Sequence, residues 1–357
     1  MKYATANQRR TLGAGGERQA GISLVEFMVA MALGLLLIGA IGSTYLGNKG
    51  AFREARAVSV MQDNGRFALE TLTRDIRLAG FSGCVGSAST TSMLTNQTAF
   101  LYKFSQGLQG YQGSTASTPT AVWSPVLDSA IGSGATTPLA GTDVLALRRA
   151  EGQSYGLNSL MATSSAAPQI DTALLTQEQF QQGQFVLLRD CTAGVIFQVT
   201  NTNAATSGQL QHVAGAGSPG NGTADLGRTF NVDAQVTRLV TASYFIAPSV
   251  AVPGRKSLWE QVDASAPIEL ALGVDDMQLL FGEDTDGDQT ANRYVTADVV
   301  SNMANVVSVR VSLLVSSDDN IAQKSMAYTF NGTTYTPADR RLRSVFTTVV
   351  NLRNRTP

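Results

Sequence analysis

The chain begins with a polar segment and then changes abruptly to a long apolar run. Residues 22–47 contain a single charged residue, Glu26, which lies close to the start of the run. A stretch of about 20 apolar residues is what a helix needs to cross the hydrocarbon core of a bilayer. The pattern therefore predicts one N-terminal membrane helix with a carboxylate near its beginning.

A second helical pattern follows without a linker. Between residues 48 and 79, apolar residues recur at spacings of three or four, which is typical of an amphipathic helix. The charged residues of this segment, Asp75 among them, are expected on the other faces, and Gly80 is expected to end the helix as a C-terminal cap. The apolar stripe consists of Val58, Met61, Gly65, Ala68, Leu69, Leu72, Ile76 and Ala79.

The rest of the chain, residues 82–357, predicts a β-rich globular domain. Residues 82–140 are rich in Ser, Thr, Gly and Gln and predict a loop-dominated insertion with few strands; residues 204–222 predict a loop. A long helix on a mainly antiparallel sheet is an α+β fold. Apolar or β-branched runs of strand length occur at 143–149, 184–190, 194–200, 234–247, 257–262, 268–284, 306–317, 324–330 and 345–354.

Composition narrows the compartment and the partners. A length of 357 residues suits one large domain or two modest ones, and a net charge of -1 predicts no nucleic-acid contact. The charged share, 15%, is low, which together with abundant Gly favours an extracytoplasmic β-rich domain. The two cysteines, Cys84 and Cys191, are compatible with one disulfide in an oxidising compartment or with two unrelated buried thiols.

Three ordinary explanations of the N-terminal segment compete, and each leaves something out. A secretory signal peptide would be followed by a small-residue cleavage site, and no convincing one follows here. A plain membrane anchor explains the length and the basic flank, but a carboxylate in the membrane is costly and usually functional, so Glu26 stays unexplained. A buried core helix is rarely this apolar on all sides.

Gly21, Ile22 and Glu26 together resemble the class III signal of type IV prepilins. In that family a basic leader ends in Gly, an apolar residue follows, and Glu is the fifth mature residue; Ile22 departs from the commonest residue there, Phe. The resemblance implies that residues 1–21 are a leader, that prepilin peptidase cuts between Gly21 and Ile22 on the cytoplasmic side, and that Ile22 is N-methylated. Glu26 would neutralise the new α-amino group of a neighbouring subunit, because an unpaired charge in an apolar setting is costly.

Four further segments resemble the PilW family of type IV pilus minor pilins: residues 66–84, 189–200, 271–288 and 340–355. The resemblance implies a subunit that is anchored in the inner membrane with a periplasmic C-terminal domain and then enters the pilus. Its implied partners are prepilin peptidase, the major pilin and other minor pilins. The resemblance also supports pairing Cys84 with Cys191. The strand pattern near the C-terminus is also similar to that of the larger pseudopilins of type II secretion.

An acidic run gives one candidate metal site. Asp284, Asp286 and Asp288 alternate like the first ligands of an EF-hand loop, whose hard oxygens suit calcium. Gln289 replaces the usual Gly, and Val295 stands where a bidentate Glu belongs. The run therefore predicts either a nonstandard calcium site or a solvated acidic turn. Residues that would complete such a site are Glu283, Asn292 and Asp298.

Catalytic patterns are missing from the sequence, which predicts that the protein is not an enzyme and requires no cofactor. The single histidine, His212, and two cysteines supply a zinc site or a Cys/His nucleophile poorly. There is no GxSxG elbow, P-loop or dinucleotide fingerprint. Two other functions remain open: a type II secretion pseudopilin, and an adhesin mounted on a pilin stem, with ligand contacts in residues 85–140 and 201–227.

Overall fold

The computed structural model describes residues 21–81, 83, 89–114, 122–134, 136–175 and 180–352. The chain divides into two compact units, Met1–Ala55 and Arg56–Pro357. This division by compactness falls inside the first helix. The segment boundaries after residues 21, 47 and 81, the first implied by the prepilin resemblance and the others by the residue pattern, stay predictions. Most of the predicted leader, residues 1–20, lies outside the described residues.

Helix α1 runs from Leu24 to Leu78, so the prediction of one long N-terminal helix is confirmed. Its early part contains an 18-residue apolar stretch, and no residue of that stretch is buried by the described part of the chain. This helix is long and apolar enough to cross a membrane. An N-terminal signal sequence meets the same criteria of length and composition. The helix fits a single-pass membrane anchor.

Antiparallel strands dominate the unit that begins at Arg56, and this confirms the α+β class. The strands are β1 (Thr90–Ser92), β2 (Leu108–Ser114), β3 (Val122–Ser124), β4 (Val144–Gly156), β5 (Phe185–Arg189), β6 (Gly194–Gln198), β7 (Gln235–Pro248), β8 (Lys256–Val262), β9 (Ile268–Leu272), β10 (Val274–Glu283), β11 (Arg293–Val295), β12 (Val306–Ser316), β13 (Tyr328–Phe330), β14 (Thr333–Tyr335) and β15 (Arg343–Asn351). The short helices are α2 (Ala204–Ser207) and 3-10 turns at Phe100–Tyr102, Thr172–Leu174 and Met303–Asn305.

Two sheets and a hairpin organise these strands. The larger sheet has the order β1-β6-β5-β7-β4-β2-β3; the long strand β7 pairs with β5 along its first part and with β8 along its second, and β9 follows β8. The smaller sheet has the order β11-β10-β12-β15, which leaves β15 at its edge, and β13 and β14 form a separate hairpin. Only the pairing of β1 with β6 is parallel among the described strands.

The strand predictions differ from the structure in several places. The run 268–284 is two strands, because Gly273 adopts a left-handed φ of 83° and turns the chain between them. The run 324–330 is a strand only at Tyr328–Phe330. Within the predicted insertion 82–140, β2 is an integral strand that pairs with both β3 and β4.

The second part of α1 packs on both sheets, as its apolar stripe predicts. Leu72 and Ile76 belong to the same buried core as Leu147 of the larger sheet and Phe281 of the smaller one. Gly65 permits a close approach: a Cβ atom there would lie 2.6 Å from the Phe346 ring of β15. The helix ends as expected, with Gly80 in a left-handed conformation.

Asp143 joins the two sheets through backbone hydrogen bonds. Its Oδ1 accepts from the Gly113 N–H of β2 at 2.9 Å, and its Oδ2 accepts from the Leu279 N–H of β10 at 2.7 Å. Its own N–H donates to the Met277 carbonyl at 2.9 Å. One buried carboxyl therefore ties strands of both sheets together next to the core that receives α1.

Candidate functional site

The first turn of α1 is closed by a reciprocal pair of hydrogen bonds. The Glu26 N–H donates to Ser23 Oγ at 3.2 Å, and the Ser23 N–H donates to Glu26 Oε2 at 3.2 Å. This is a capping box, in which an N-cap Ser and a Glu three residues later satisfy two backbone donors that the helix leaves unpaired. A carboxylate in the first turn also interacts favourably with the helix dipole.

The capping box gives Glu26 a role inside its own chain that the sequence reasoning missed. The spacing Ser-x-x-Glu was the available signal. Unpaired backbone donors are especially costly in lipid, so the box is useful where this helix would begin. Gly21 and Ile22 are both exposed beside it. Cleavage between them, methylation of Ile22 and pairing of Glu26 with a neighbour stay predictions.

Large apolar residues of the first unit are exposed in the part of the chain that the structure describes. Ile22 is 78% exposed, Leu36 71% and Phe52 70%. A continuous exposed apolar surface of this kind marks a membrane or protein contact, because leaving it in water is unfavourable. This part of α1 therefore needs either lipid or other apolar helices around it.

A buried ionic cluster fixes the end of α1 on the larger sheet. Tyr244 of β7 donates a hydrogen bond to Asp75 Oδ2, and its hydroxyl oxygen also lies 2.8 Å from Glu260 Oε1. Arg149 Nη2 of β4 lies 3.4 Å from Asp75 Oδ2 and 3.3 Å from Glu260 Oε1. A phenol has one hydrogen to donate, so Arg149 compensates whichever carboxylate Tyr244 does not serve.

Electrostatics keep the phenol of Tyr244 protonated. Burial, reinforced by the Asp75 and Glu260 carboxylates, raises the pKa of Tyr244, so the phenol remains a donor at physiological pH. The ionic chain continues outward through Glu151, which lies 3.7 Å from Arg149 and 2.8 Å from Arg238. The charges are thereby paired from the helix to the sheet surface.

The expectation that Asp75 lies on a solvated helix face is wrong, because Asp75 is only 2% exposed. Asp75 directly precedes Ile76 on the buried side of the helix. A helical pattern places a residue on a face but does not reveal a buried Arg149 and Tyr244 contributed by distant strands. That partner set is what makes burial of the carboxylate tolerable.

The structure describes only one of the two cysteines of the predicted disulfide. Cys84 lies outside the described residues, while Cys191 lies in the turn between β5 and β6. Asp190 Oδ1 orders this turn by accepting the N–H groups of Thr192 and Ala193 at 2.7 and 2.8 Å. Gly83, the neighbour of Cys84 in sequence, packs directly against the side chain of Arg189. This approach of the two segments supports the pairing, which stays a prediction.

Non-reducing peptide mapping is expected to recover one linked peptide pair containing Cys84 and Cys191. Cys84→Ser, Cys191→Ser and the double variant should each lower the free energy of unfolding by about 2–4 kcal/mol, because a closed loop of this size restricts the unfolded chain. The three losses should agree, since they remove one and the same bond. Rapid alkylation of both thiols in the folded, unreduced protein would contradict the pairing.

The acidic loop brings its three aspartates together. One carboxylate oxygen from each of Asp284, Asp286 and Asp288 lies within 4.8 Å of the other two. The N–H groups of Gly287, Gln289 and Asp286 hold the pKa of Asp284 below its usual range. Gln289 has a φ of 66°, so it adopts the left-handed turn for which an EF-hand uses Gly.

The proposed additional ligands are mostly engaged elsewhere. Glu283 is fully buried and bound by Arg293 Nη2 at 2.7 Å and by the Ser301 hydroxyl. Asn292 remains at the cluster, where its Nδ2 donates to Asp286 Oδ2 at 3.1 Å. Val295 of β11 pairs with Phe281 of β10 and offers no carboxylate. The donor set thus fits the front of a calcium loop and lacks its closing bidentate ligand.

Calcium is expected to bind this loop weakly, with a dissociation constant of about 0.1–1 mM, and to raise the melting temperature. The cation would relieve repulsion among three clustered carboxylates. Thermal unfolding with CaCl₂, with MgCl₂ as the comparison, measures the effect. Asp288→Asn should remove the shift, whereas Asp298→Asn, outside the cluster, should keep it. An unchanged melting temperature at about 5 mM calcium would identify the run as a solvated acidic turn.

His212 belongs to the core. It is buried, its ring centroid lies 4.9 Å from that of Phe197, and its Nδ1 lies 3.2 Å from the Leu210 carbonyl. Burial lowers the pKa of His212, which favours the neutral ring. The segment 204–222 is therefore packed against the domain and starts with the short helix α2.

Comparison with known proteins locates the family signal in the C-terminal third of the chain. A search of curated proteins and a search of solved structures find no match. The family model PilW, described as Type IV Pilus-assembly protein W, matches residues 243–354. This range contains the whole smaller sheet and strands β8 and β9, together with two of the four segments that show the resemblance in sequence. Residues 243–354 are thus similar to the PilW family of type IV pilus-assembly proteins, and this match supports the resemblance found in the sequence.

Proposed function

We propose that this chain is a minor pilin of a type IV pilus, processed by prepilin peptidase and then incorporated into the filament or used to prime it. The exposed apolar surface of α1, which begins directly after Gly21, is the observation that carries the proposal. Such a surface suits lipid before assembly and the helical interior of a filament afterwards. The match to a family of type IV pilus-assembly proteins favours the pilus over type II secretion.

The charge pattern of the first turn supports the assembly step. Cleavage before Ile22 would create an α-amino group next to an apolar surface, and a carboxylate four residues away would be its natural counterion. The Glu26 of one subunit, paired with the new N-terminus of the next, would set the register of neighbouring helices. Other minor pilins and the major pilin are the partners in this proposal, and no catalytic residue takes part.

The large domain suits a position of low copy number. The unit beginning at Arg56 carries two sheets and several long connections, and its packing depends on contacts made within the subunit. A bulky subunit is accommodated more easily at a filament tip or in an initiating complex than in thousands of repeated positions. This step rests on sterics and on family analogy.

Intact mass and N-terminal sequencing of the membrane-extracted protein test the processing step. We expect a mature chain that starts at N-methylated Ile22 in a strain with prepilin peptidase, and the uncut chain in a strain without it. Gly21→Leu should block cleavage because it places a bulky side chain at the scissile bond. Gly13→Leu, a matched change within the leader, should leave cleavage intact.

An uncut chain in both strains would overturn the proposal. The protein would then be a membrane-anchored protein whose carboxylate Glu26 serves only its own capping box. A cut chain that is missing from sheared filaments would limit the proposal to priming.

A further inference from the structure

Strand β15 leaves one edge of the smaller sheet open. It pairs with β12 from Arg343 to Asn351, and no other described strand pairs with it. An open edge presents a row of backbone donors and acceptors to any extended chain that comes near it. Proteins usually protect such an edge with charge, proline or a bulge, and the sequence of β15, RSVFTTVVN, has one arginine at its start and no proline.

The register identifies which groups point outward. The Leu352 N–H donates to the Val307 carbonyl, and the Ser317 N–H donates to the Leu342 carbonyl. Because hydrogen-bonded pairs alternate along an antiparallel ladder, even-numbered residues of β15 turn their backbone groups toward β12. The odd-numbered residues Val345, Thr347 and Val349 therefore present their N–H and C=O groups at the open edge.

A groove of about 690 Å³ runs between this strand and α1. Phe346 and Thr348 line it from β15, and Leu69, Thr73 and Leu78 line it from the helix. Phe346 is held there by its contact with Gly65. An added strand would continue the sheet and bury this apolar strip at the same time, which is how peptides bind by β-augmentation.

The rim of the groove is basic. Arg66, Arg74 and Arg77 line it against a single acid, Glu70. Arg74 is also 3.2 Å from Asp75, but it is 69% exposed. No described carboxylate forms an ion pair with Arg66 or Arg77. Charge complementarity therefore asks for an occupant that carries acidic residues.

We propose that this groove receives an extended segment of another pilus subunit, with alternating apolar residues and flanking Asp or Glu residues, added as a strand to the edge of β15. A second copy of β15 is a poor occupant, because its charged residues are Arg343 and, just after it, Arg353 and Arg355. Two copies would bring basic residues against a basic rim. The choice of partner, but not the docking site itself, rests on the proposed function.

The full chain in detergent micelles tests the docking site with synthetic probes. The first probe is a heptapeptide of alternating Val and Thr with acidic ends; the second has the same core with Lys at both ends. We expect the acidic peptide to bind at least about tenfold more tightly and to slow hydrogen exchange at the odd-numbered amides of β15. Equal binding of the two peptides would overturn the charge argument. Unchanged hydrogen exchange in β15 would overturn docking at this edge.

Substitutions at the edge sharpen this test. Thr347→Pro deletes an outward N–H without removing a backbone bond to β12, and proline is tolerated at such edge positions. It also removes the hydroxyl that lies 3.1 Å from Ser312 Oγ of β12, a contact that Thr347→Val removes as well. It should weaken binding of the acidic peptide about tenfold or more, whereas Thr347→Val, which keeps the N–H, should stay within about twofold. Arg66→Glu with Arg77→Glu should reverse the preference between the peptides. Normal binding by Thr347→Pro would exclude strand addition.

Photo-crosslinking in cells then identifies the occupant. A benzoylphenylalanine at position 73 faces the groove, and one at position 334, in the β13–β14 hairpin, is the control. We expect position 73 alone to give an adduct with an acid-flanked segment of another pilus subunit. An adduct with a second copy of this chain, or with lipid alone, would overturn the occupant. N-terminal sequencing of the same sample reports separately whether the chain was processed, so a failure of the proposed function is recognised independently.

Discussion

Glu26→Gln is expected to leave cleavage after Gly21 intact and to reduce this subunit in sheared filaments at least about tenfold. Glutamine can replace glutamate in a capping box, so the first turn of α1 should still form. The substitution removes only the negative charge that would neutralise the N-terminus of a neighbouring subunit. Immunoblots of sheared filaments and of the membrane fraction, with N-terminal sequencing, measure the two effects separately.

Ser23 provides the matched control for the two roles of Glu26. Ser23→Ala removes the cap and keeps the charge, at a cost of about 1 kcal/mol to the helix. It should therefore enter filaments nearly normally, while Glu26→Ala should fail as completely as Glu26→Gln. The opposite ranking, with Glu26→Gln normal and both Ser23→Ala and Glu26→Ala impaired, would show that the carboxylate is only a cap.

Asp75→Ala is expected to lower the free energy of unfolding by about 3–5 kcal/mol. The substitution removes the most buried carboxylate partner of Arg149 and leaves only Glu260 and Glu151, which are both more exposed, as counterions. Breaking a buried ion pair by deleting one partner is strongly destabilising. Tyr244 also loses the more buried of its two acceptors and keeps Glu260. Denaturant unfolding followed by the fluorescence of Trp123 and Trp259, both buried in this unit, measures the change.

Two substitutions in the same cluster calibrate that loss. Arg74→Ala removes the exposed ion-pair partner of Asp75 and should cost less than about 1 kcal/mol, because solvent screens exposed charges. Tyr244→Phe should cost about 1–3 kcal/mol, the usual range for a lost buried hydrogen bond. If Asp75→Ala is no worse than Arg74→Ala, the cluster does not hold α1 to the sheet.

Much of the architecture could be predicted from local pattern. The period of 3.6 residues predicts α1, and Leu72, Ile76 and Gly80 lie where that period places them. The apolar β-branched runs predict most long strands within a few residues of their observed ends, because alternating burial is a property of the strand itself. Gly273 is an exception, since an apolar run does not show where a left-handed glycine will divide it.

The candidate sites were harder to predict from the sequence, because they depend on residues that are distant in sequence. The sequence pattern predicts Asp75 to be a surface charge, whereas in the structure β4 and β7 place Arg149 and Tyr244 next to it. The sequence suggests Glu283 as a calcium ligand, whereas in the structure its carboxylate accepts hydrogen bonds from Arg293 and Ser301. Side-chain type shows what a residue can do, and only its neighbours decide what it does.

Local sequence is enough to identify the helix, the strand content and the N-terminal constellation of Gly21, Ile22 and Glu26, because each follows from the order and spacing of neighbouring residues. By contrast, the folded chain is needed to see that β15 is an edge strand and that a basic groove lies between it and α1. Strand order and buried charge pairing are set by contacts between distant segments. Such contacts form when the whole chain packs its apolar surfaces, so no local pattern contains them.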